Sequence, residues 1–269
     1  MTDRVLPGAD LPPEEKAKRS GSFGAVASLY ERYRPGPPIE AVEWMLPEQC
    51  AGVVDLGAGT GALTRLLVGR VDEVIAVEPD DRMRAVLQEQ VPGARAVNGV
   101  GHSMPLPDHS VGAVLASASW HWMDVEPTLR EIARVLTPGG TLGAVWAGPD
   151  PEGALAEGAR QLIGSAGDST LGSTVADEAS RPTNALRIPA GLPFEPPELE
   201  TFRWDVALTG DDIVGLLGTM SWVITMDDAR REQLFDQARQ LLRDVMGVDG
   251  DTTIDVGFRA DTFRTRCTA

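Results

Sequence analysis

Val53-Val54-Asp55-Leu56 is a short apolar run carrying one acid, and Gly57-Ala58-Gly59-Thr60-Gly61 follows it at once. Three alternating glycines directly after such a run leave the chain few options. Glycine weakens a strand and admits left-handed backbone, and residues 62–70 then show the periodicity of a helix. A strand that feeds a glycine turn and then a helix opens a βαβ unit, in which backbone groups of the turn can approach a ligand closely.

The same alternation continues downstream. Strands are expected at 53–56, 73–77, 95–98, 111–117 and 141–146, with helices at 62–69, 80–90 and 125–136 between them. This is the order of a doubly wound, Rossmann-like α/β sheet, mostly parallel. Asp124 is placed to cap the helix at 125–136, whose buried stripe is Leu129, Ile132, Ala133 and Leu136, and Gly139-Gly140 end it. The acidic pairs Asp80-Asp81 and Asp227-Asp228 precede helices and read as caps.

Two amphipathic helices precede the first strand, one capped by Ser22 and ended by Pro35, the other over 39–46. Beyond Ala147 the pattern weakens, and residues 164–184 are crowded with Gly, Ser, Thr and Asp. A strand at 198–206, a short helix at 211–217 and a long helix at 228–246 follow, and a last strand at 252–259 is expected as an antiparallel edge strand. The expected organisation is a disordered tail (1–20), a core with an N-terminal helical cap (21–147), a lid or substrate insertion (148–197) and a C-terminal part with substrate-facing helices (198–269).

Charge excludes some functions. A formal net charge of −16 opposes wrapping nucleic acid or anionic lipid, because both need Lys and Arg to neutralise phosphates. Residues 1–20 hold no apolar run of the length of a signal sequence or membrane span. Cys50 and Cys267 are the only cysteines and match no metal-ligand spacing, so a cytoplasmic protein without a metal centre is expected.

The glycines alone do not choose between a dinucleotide and S-adenosylmethionine, since Gly57-x-Gly59-x-x-Ala62 suits both. Asp55, just ahead of the first glycine, would repel a pyrophosphate and attract an ammonium or sulfonium group. Glu78 ends the second strand at the distance where a βαβ unit brings an acid to a ribose, a feature common to both cofactor classes. An NAD-dependent oxidoreductase and a catalytically silent binding protein are the competing readings.

The chain resembles the class I S-adenosylmethionine-dependent methyltransferases, among them small-molecule enzymes similar to trans-aconitate methyltransferases. The resemblance rests on Val54-Asp55-Leu56-Gly57-Ala58-Gly59-Thr60-Gly61, Ala76-Val77-Glu78-Pro79 with Met83, Pro105-Leu106-Pro107-Asp108-x-Ser110-Val111, Trp120-His121-Trp122-Met123-Asp124 and Arg134-Val135-Leu136-Thr137-Pro138-Gly139-Gly140. It implies a small organic acceptor and S-adenosylmethionine as cofactor. Gly57, Ala58, Gly59 and Gly61 would meet the methionine moiety and ribose, Glu78 the ribose hydroxyls, Pro79 and Met83 the adenine, and Asp55 the methionine ammonium. Val100, Gly101 and His102 would complete the adenine side, with Val100 where relatives carry Asp or Thr. Tyr30 would close over the methionine end, and Arg34 and Trp222 would face the acceptor. His121 follows the fourth strand, as a general base or as a packed histidine shaping the pocket.

Overall fold

The computed structural model describes residues 27–157 and 186–269, with Glu14 and Gly24 as isolated positions; the side chains of Ser221 and Trp222 are outside that description. Ser22 and the Gly/Ser-rich stretch 164–184 lie outside the described residues. The order of elements is α1 (Ala27–Tyr33), α2 (Ile39–Met45), β1 (Gly52–Leu56), α3 (Ala62–Leu67), β2 (Glu73–Val77), α4 (Asp81–Gln90), β3 (Arg95–Val97) and β4 (Val111–Ser117). A 3-10 turn (Trp120–Trp122), α5 (Val125–Val135), β5 (Leu136–Pro149), β6 (Glu198–Thr209), α6 (Gly210–Gly218), α7 (Ser221–Ile224), α8 (Asp228–Met246) and β7 (Thr253–Arg266) follow.

The strands form one sheet in the order β3-β2-β1-β4-β5-β7-β6. Strands β1 to β5 pair in parallel, and the C-terminal strands are antiparallel. Every residue of β1 is buried, as expected for a parallel strand covered on both faces. The last strand is longer than expected and sits between β5 and β6, so β6 holds the edge. Its buried Val256, Phe258, Ala260 and Phe263 suit a strand with neighbours on both sides.

Two local expectations are corrected. Asp124 occupies the cap position of α5, yet its side chain makes no capping hydrogen bond. Gly139-Gly140 do not stop a helix: α5 ends at Val135 because Leu136 turns extended and pairs with Val111. The next register pair is Ala113 with Thr141, so residues 137–140 bulge out of β5, with Gly139 at φ +75°. By contrast Asp80 and Asp227 do cap their helices, accepting from the backbone N–H groups of Arg82 and Met83 and of Arg230.

The chain divides into two compact units. One comprises Met1–Arg34, Gly148–Thr183 and Arg203–Arg259; the other comprises Pro35–Ala147, Asn184–Phe202 and Ala260–Ala269. The first is built around Leu208, Ile213, Val214, Leu216, Leu242, Val248, Val256 and Phe258. Within it α1 lies against α6, where any Cβ at Gly215 would fall 2.6 Å from the Tyr33 ring. The second carries the β1–β4 core and the glycine turn.

Candidate functional site

Strand order turns at β1, which pairs with β2 on one side and β4 on the other. Open sheets of this kind take ligands outside the carboxyl ends of their strands at such a point. The turn after β1 is anchored by the Gly57 N–H, which donates to the Val77 carbonyl at 2.8 Å. Gly57, Gly59 and Gly61 all adopt left-handed backbone, with φ of +69°, +56° and +96°. A Cβ at Gly57 would lie 2.7 Å from Ser119 Cβ, whereas at Gly59 it would meet only Met83 Cε, at 3.6 Å. The first glycine thus admits β4's loop, and the second leaves the middle of the turn bare.

Glu78 stands directly after β2 and is buried. Its Oε2 accepts from the Gly59 N–H and its Oε1 from the Asp80 N–H, both at 2.9 Å. The carboxylate is therefore fixed across the glycine turn, and each oxygen keeps a second lone pair. Burial raises its pKa while those two N–H groups hold it down.

Asp55 is 1% exposed. The Thr64 hydroxyl donates to its Oδ2 at 2.6 Å, while buried Oδ1 has no hydrogen-bond partner among the described residues. Burial pushes its pKa up to about 7; the Thr64 hydrogen bond opposes the rise and the negative charge of Glu78 adds to it. Thr60 Oγ1 is likewise buried without a partner. Two buried carboxylates beside an open glycine turn form an environment that favours a cation.

The other wall comes from β4. Ser119 donates from Oγ to the Leu56 carbonyl at 2.7 Å, tying the β4 loop to the end of β1. Trp120 is buried, and the His121 and Trp122 rings lie 4.6 Å apart. The Trp146 indole, near the end of β5, donates from Nε1 to His121 Nδ1 at 3.3 Å.

The remaining candidates of this unit divide. Ala58 packs with Ala76 and Leu87, and Met83 is buried against the turn, whereas Pro79 is exposed. Val100 closes a turn with Ser103 and is 38% exposed. Gly101 is required where it stands, since a Cβ would fall 2.8 Å from Thr128 Oγ1, itself a buried hydroxyl without a partner among the described residues. His102 is exposed, and Glu131 accepts from the Met104 N–H at 2.7 Å.

A methyltransferase domain model matches residues 54–144, the stretch that builds this geometry. A Mycobacterium tuberculosis protein named an uncharacterized methyltransferase is 38% identical over 221 residues, covering 82% of this chain and 85% of that protein. The chain belongs to the methyltransferase family. It is an S-adenosylmethionine-dependent methyltransferase. The methyltransferase is also similar to a malonyl-[acyl-carrier protein] O-methyltransferase of Methylococcus capsulatus, at 33% identity over 51% of this chain and 54% of that one. A solved structure from Anaeromyxobacter dehalogenans, named a type II methyltransferase, shares the fold at TM-score 0.61 and 22% identity, covering 87% and 98% of the two chains.

Tyr30, Arg34 and Trp222 belong to the first unit of the methyltransferase. The Arg34 guanidinium lies 5.2 Å from the Tyr30 ring centroid and donates to Thr219 Oγ1 at 3.0 Å. Trp222 lies on α7, shortly after Thr219. Among the described residues no group of three or more His, Cys, Asp or Glu could hold a metal, and no helix is long and apolar enough to cross a membrane. Sequence reasoning missed Thr64, Ser119, Thr128 and Trp146. Ser119 and Trp146 carried a usable signal, since Trp146 ends the strand expected at 141–146 and Ser119 lies two residues past the one expected at 111–117.

Proposed function

We propose that this methyltransferase moves the methyl group of S-adenosylmethionine onto a small organic molecule, with the donor in the crevice outside the ends of β1 and β4. The observation that carries this reading is the buried Glu78 clamped to the Gly59 N–H of the glycine turn, together with an Oδ1 of Asp55 that has no partner among the described residues. The residues fit the donor on their own chemistry: one acid has lone pairs for two hydroxyls, and the other has one oxygen without a partner among the described residues, which suits an ammonium group.

When bound, S-adenosylmethionine supplies a methyl carbon made electrophilic by its positive sulfur. Glu78 accepts from the ribose hydroxyls with the lone pairs that Gly59 and Asp80 leave over. Asp55 holds the methionine ammonium through Oδ1 while Thr64 occupies Oδ2. Gly57, Ala58, Gly59 and Gly61 let the backbone approach the donor, and Pro79, Met83 and the turn Val100-Gly101-His102 border the adenine. Transfer needs in-line approach and exclusion of water more than it needs covalent help from the protein.

A small acceptor is supported by the charge of −16, which disfavours nucleic acid. The malonyl O-methyltransferase relative puts oxygen first among acceptor atoms to test. Two unpaired cysteines, Cys50 and Cys267, support a reducing cytoplasmic setting.

Thermal shift with S-adenosylmethionine, S-adenosylhomocysteine and NAD tests the donor site, because only a ligand that prefers the native state raises the melting point. Protection by the first two is expected, and protection by NAD alone refutes the site. Radiolabelled methyl transfer to a panel of organic acids, phenols and amines tests the acceptor. Label found only in nucleic acid or protein refutes the small-molecule reading.

A further inference from the structure

The sheet comes apart unevenly where its strand order turns. Pairing of β1 with β4 runs from Val53–Ala113 to Asp55–Leu115 and stops, while β4 stays with β5 as far as Ser117–Val145. On its other side β1 remains with β2 through Leu56–Val77. The strands β1 and β4 therefore part at Leu56, between Asp55 and the first glycine of the turn.

The peptide that joins Leu56 to Gly57 is held from both sides of this parting. A planar trans peptide points its N–H and its carbonyl in opposite directions. The N–H, that of Gly57, donates to the Val77 carbonyl on β2 at 2.8 Å. The carbonyl, that of Leu56, accepts from Ser119 Oγ at 2.7 Å. A side-chain hydroxyl thus stands in for the ladder bond that pairing beyond Asp55–Leu115 would have supplied. The turn that brings it there is held under strain: Ala118 is left-handed at φ +50°, and its N–H is tied to the Val145 carbonyl at 2.9 Å. Room for the hydroxyl exists because Gly57 has no Cβ, which would lie 2.9 Å from Ser119 Oγ.

We propose that Ser119 is a positioning residue of the donor site, whose hydroxyl fixes the plane of the Leu56–Gly57 peptide and so sets the backbone that meets the methionine end of S-adenosylmethionine. The role rests on the donor reading above, in which neighbouring Asp55 holds the methionine ammonium. Leu56 is 1% exposed, so a carbonyl stripped of this donor is not simply handed to bulk water. Losing the Ser119 bond leaves the peptide anchored through its N–H alone.

Ser119→Ala removes the hydroxyl and keeps the Cβ beside Gly57. Calorimetric titration with two ligands separates positioning from general loosening. S-adenosylhomocysteine carries the amino-acid end, and 5′-methylthioadenosine has the same adenosine and sulfur without it. The variant should bind S-adenosylhomocysteine about fivefold to tenfold more weakly, the worth of one hydrogen bond, and 5′-methylthioadenosine as wild type does. Equal losses for both ligands, or unchanged affinity for S-adenosylhomocysteine, overturn the proposal. Ser119→Cys puts a weaker donor in the same place and should fall between wild type and Ser119→Ala. It carries the same comparison if the alanine variant does not fold.

Amide exchange of the ligand-free protein tests the bond itself. Gly57 and Ala58 both donate to the Val77 carbonyl, at 2.8 and 3.2 Å. Their amides should exchange about fivefold faster in Ser119→Ala, with Val54 at the wild-type rate. An unchanged rate at Gly57 overturns the proposal. Wild-type protein that binds neither ligand refutes the donor site itself, and the exchange rates then report on the Ser119 bond alone.

Discussion

Asp55→Asn should make the protein more stable at neutral pH and a poorer binder of its cofactor. Asp55 is 1% exposed, so solvent does little to screen it. Its pKa stands at about 7 against 3.8 for an unburied side chain, with desolvation as the main cause. Between those two values the native state holds a proton that the unfolded chain has released. Stability therefore falls as pH rises through that interval, and the full cost is present above about pH 7. A displacement of that size corresponds to roughly 4 kcal/mol as an upper bound.

Asparagine keeps an oxygen for the Thr64 hydroxyl and cannot ionise. The comparison is urea unfolding of wild type and variant at pH 4, 5, 6, 7 and 8, spanning the interval over which the acid titrates, from about 4 to about 7. The stability difference should be small or against the variant at the acid end. It should turn in the variant's favour by about 1–4 kcal/mol at the alkaline end, and other carboxylates cancel because both proteins carry them. A difference independent of pH would show that Asp55 does not titrate there and would refute the reasoning. The same substitution should weaken S-adenosylhomocysteine binding by about tenfold or more, since a neutral amide replaces the partner of the ammonium.

Other substitutions test the remaining parts. Glu78→Ala should reduce S-adenosylhomocysteine affinity about tenfold to a hundredfold by titration calorimetry, since hydrogen bonds to a charged group are lost; unchanged affinity would remove Glu78 from the ribose site. Gly57→Ala combines a φ of +69° with a Cβ 2.7 Å from Ser119, and should cost about 2–4 kcal/mol in chemical denaturation. Arg134 donates to the Met104 and Leu106 carbonyls and pairs with Asp108 and Glu131. Arg134→Ala should cost about 1–2 kcal/mol and speed amide exchange across 104–108, and protection equal to wild type there would refute the clamp.

The glycine turn and the acid beside it were legible because their information is local. Asp55, the three glycines and Glu78 lie within 24 consecutive residues of one βαβ unit. The backbone supplies most of the geometry, so residue types at fixed spacing suffice to foresee it. Strand limits such as Glu73–Val77 and Val111–Ser117 were readable for the same reason, each being an apolar run between polar punctuation. The bulge at 137–140 was not readable. Gly139-Gly140 after a helix looks like a stop whether the chain leaves the fold or loops within a strand, and only pairing with β4 tells the two apart.

His121 marks where local reading ends. From the sequence it stands between two tryptophans at the end of a strand, and both a general base and a packed ring describe it. A partner that the sequence does not show, Trp146, lies 25 residues away on a neighbouring strand and donates to its Nδ1. The same holds for the orphaned Oδ1 of Asp55, which becomes informative only once Thr64 is seen to occupy Oδ2. Residue type and spacing say which groups can meet a ligand. Which of their lone pairs are already occupied is set by partners distant in the chain, and in this methyltransferase the one on His121 Nδ1 is met from β5 beside β4.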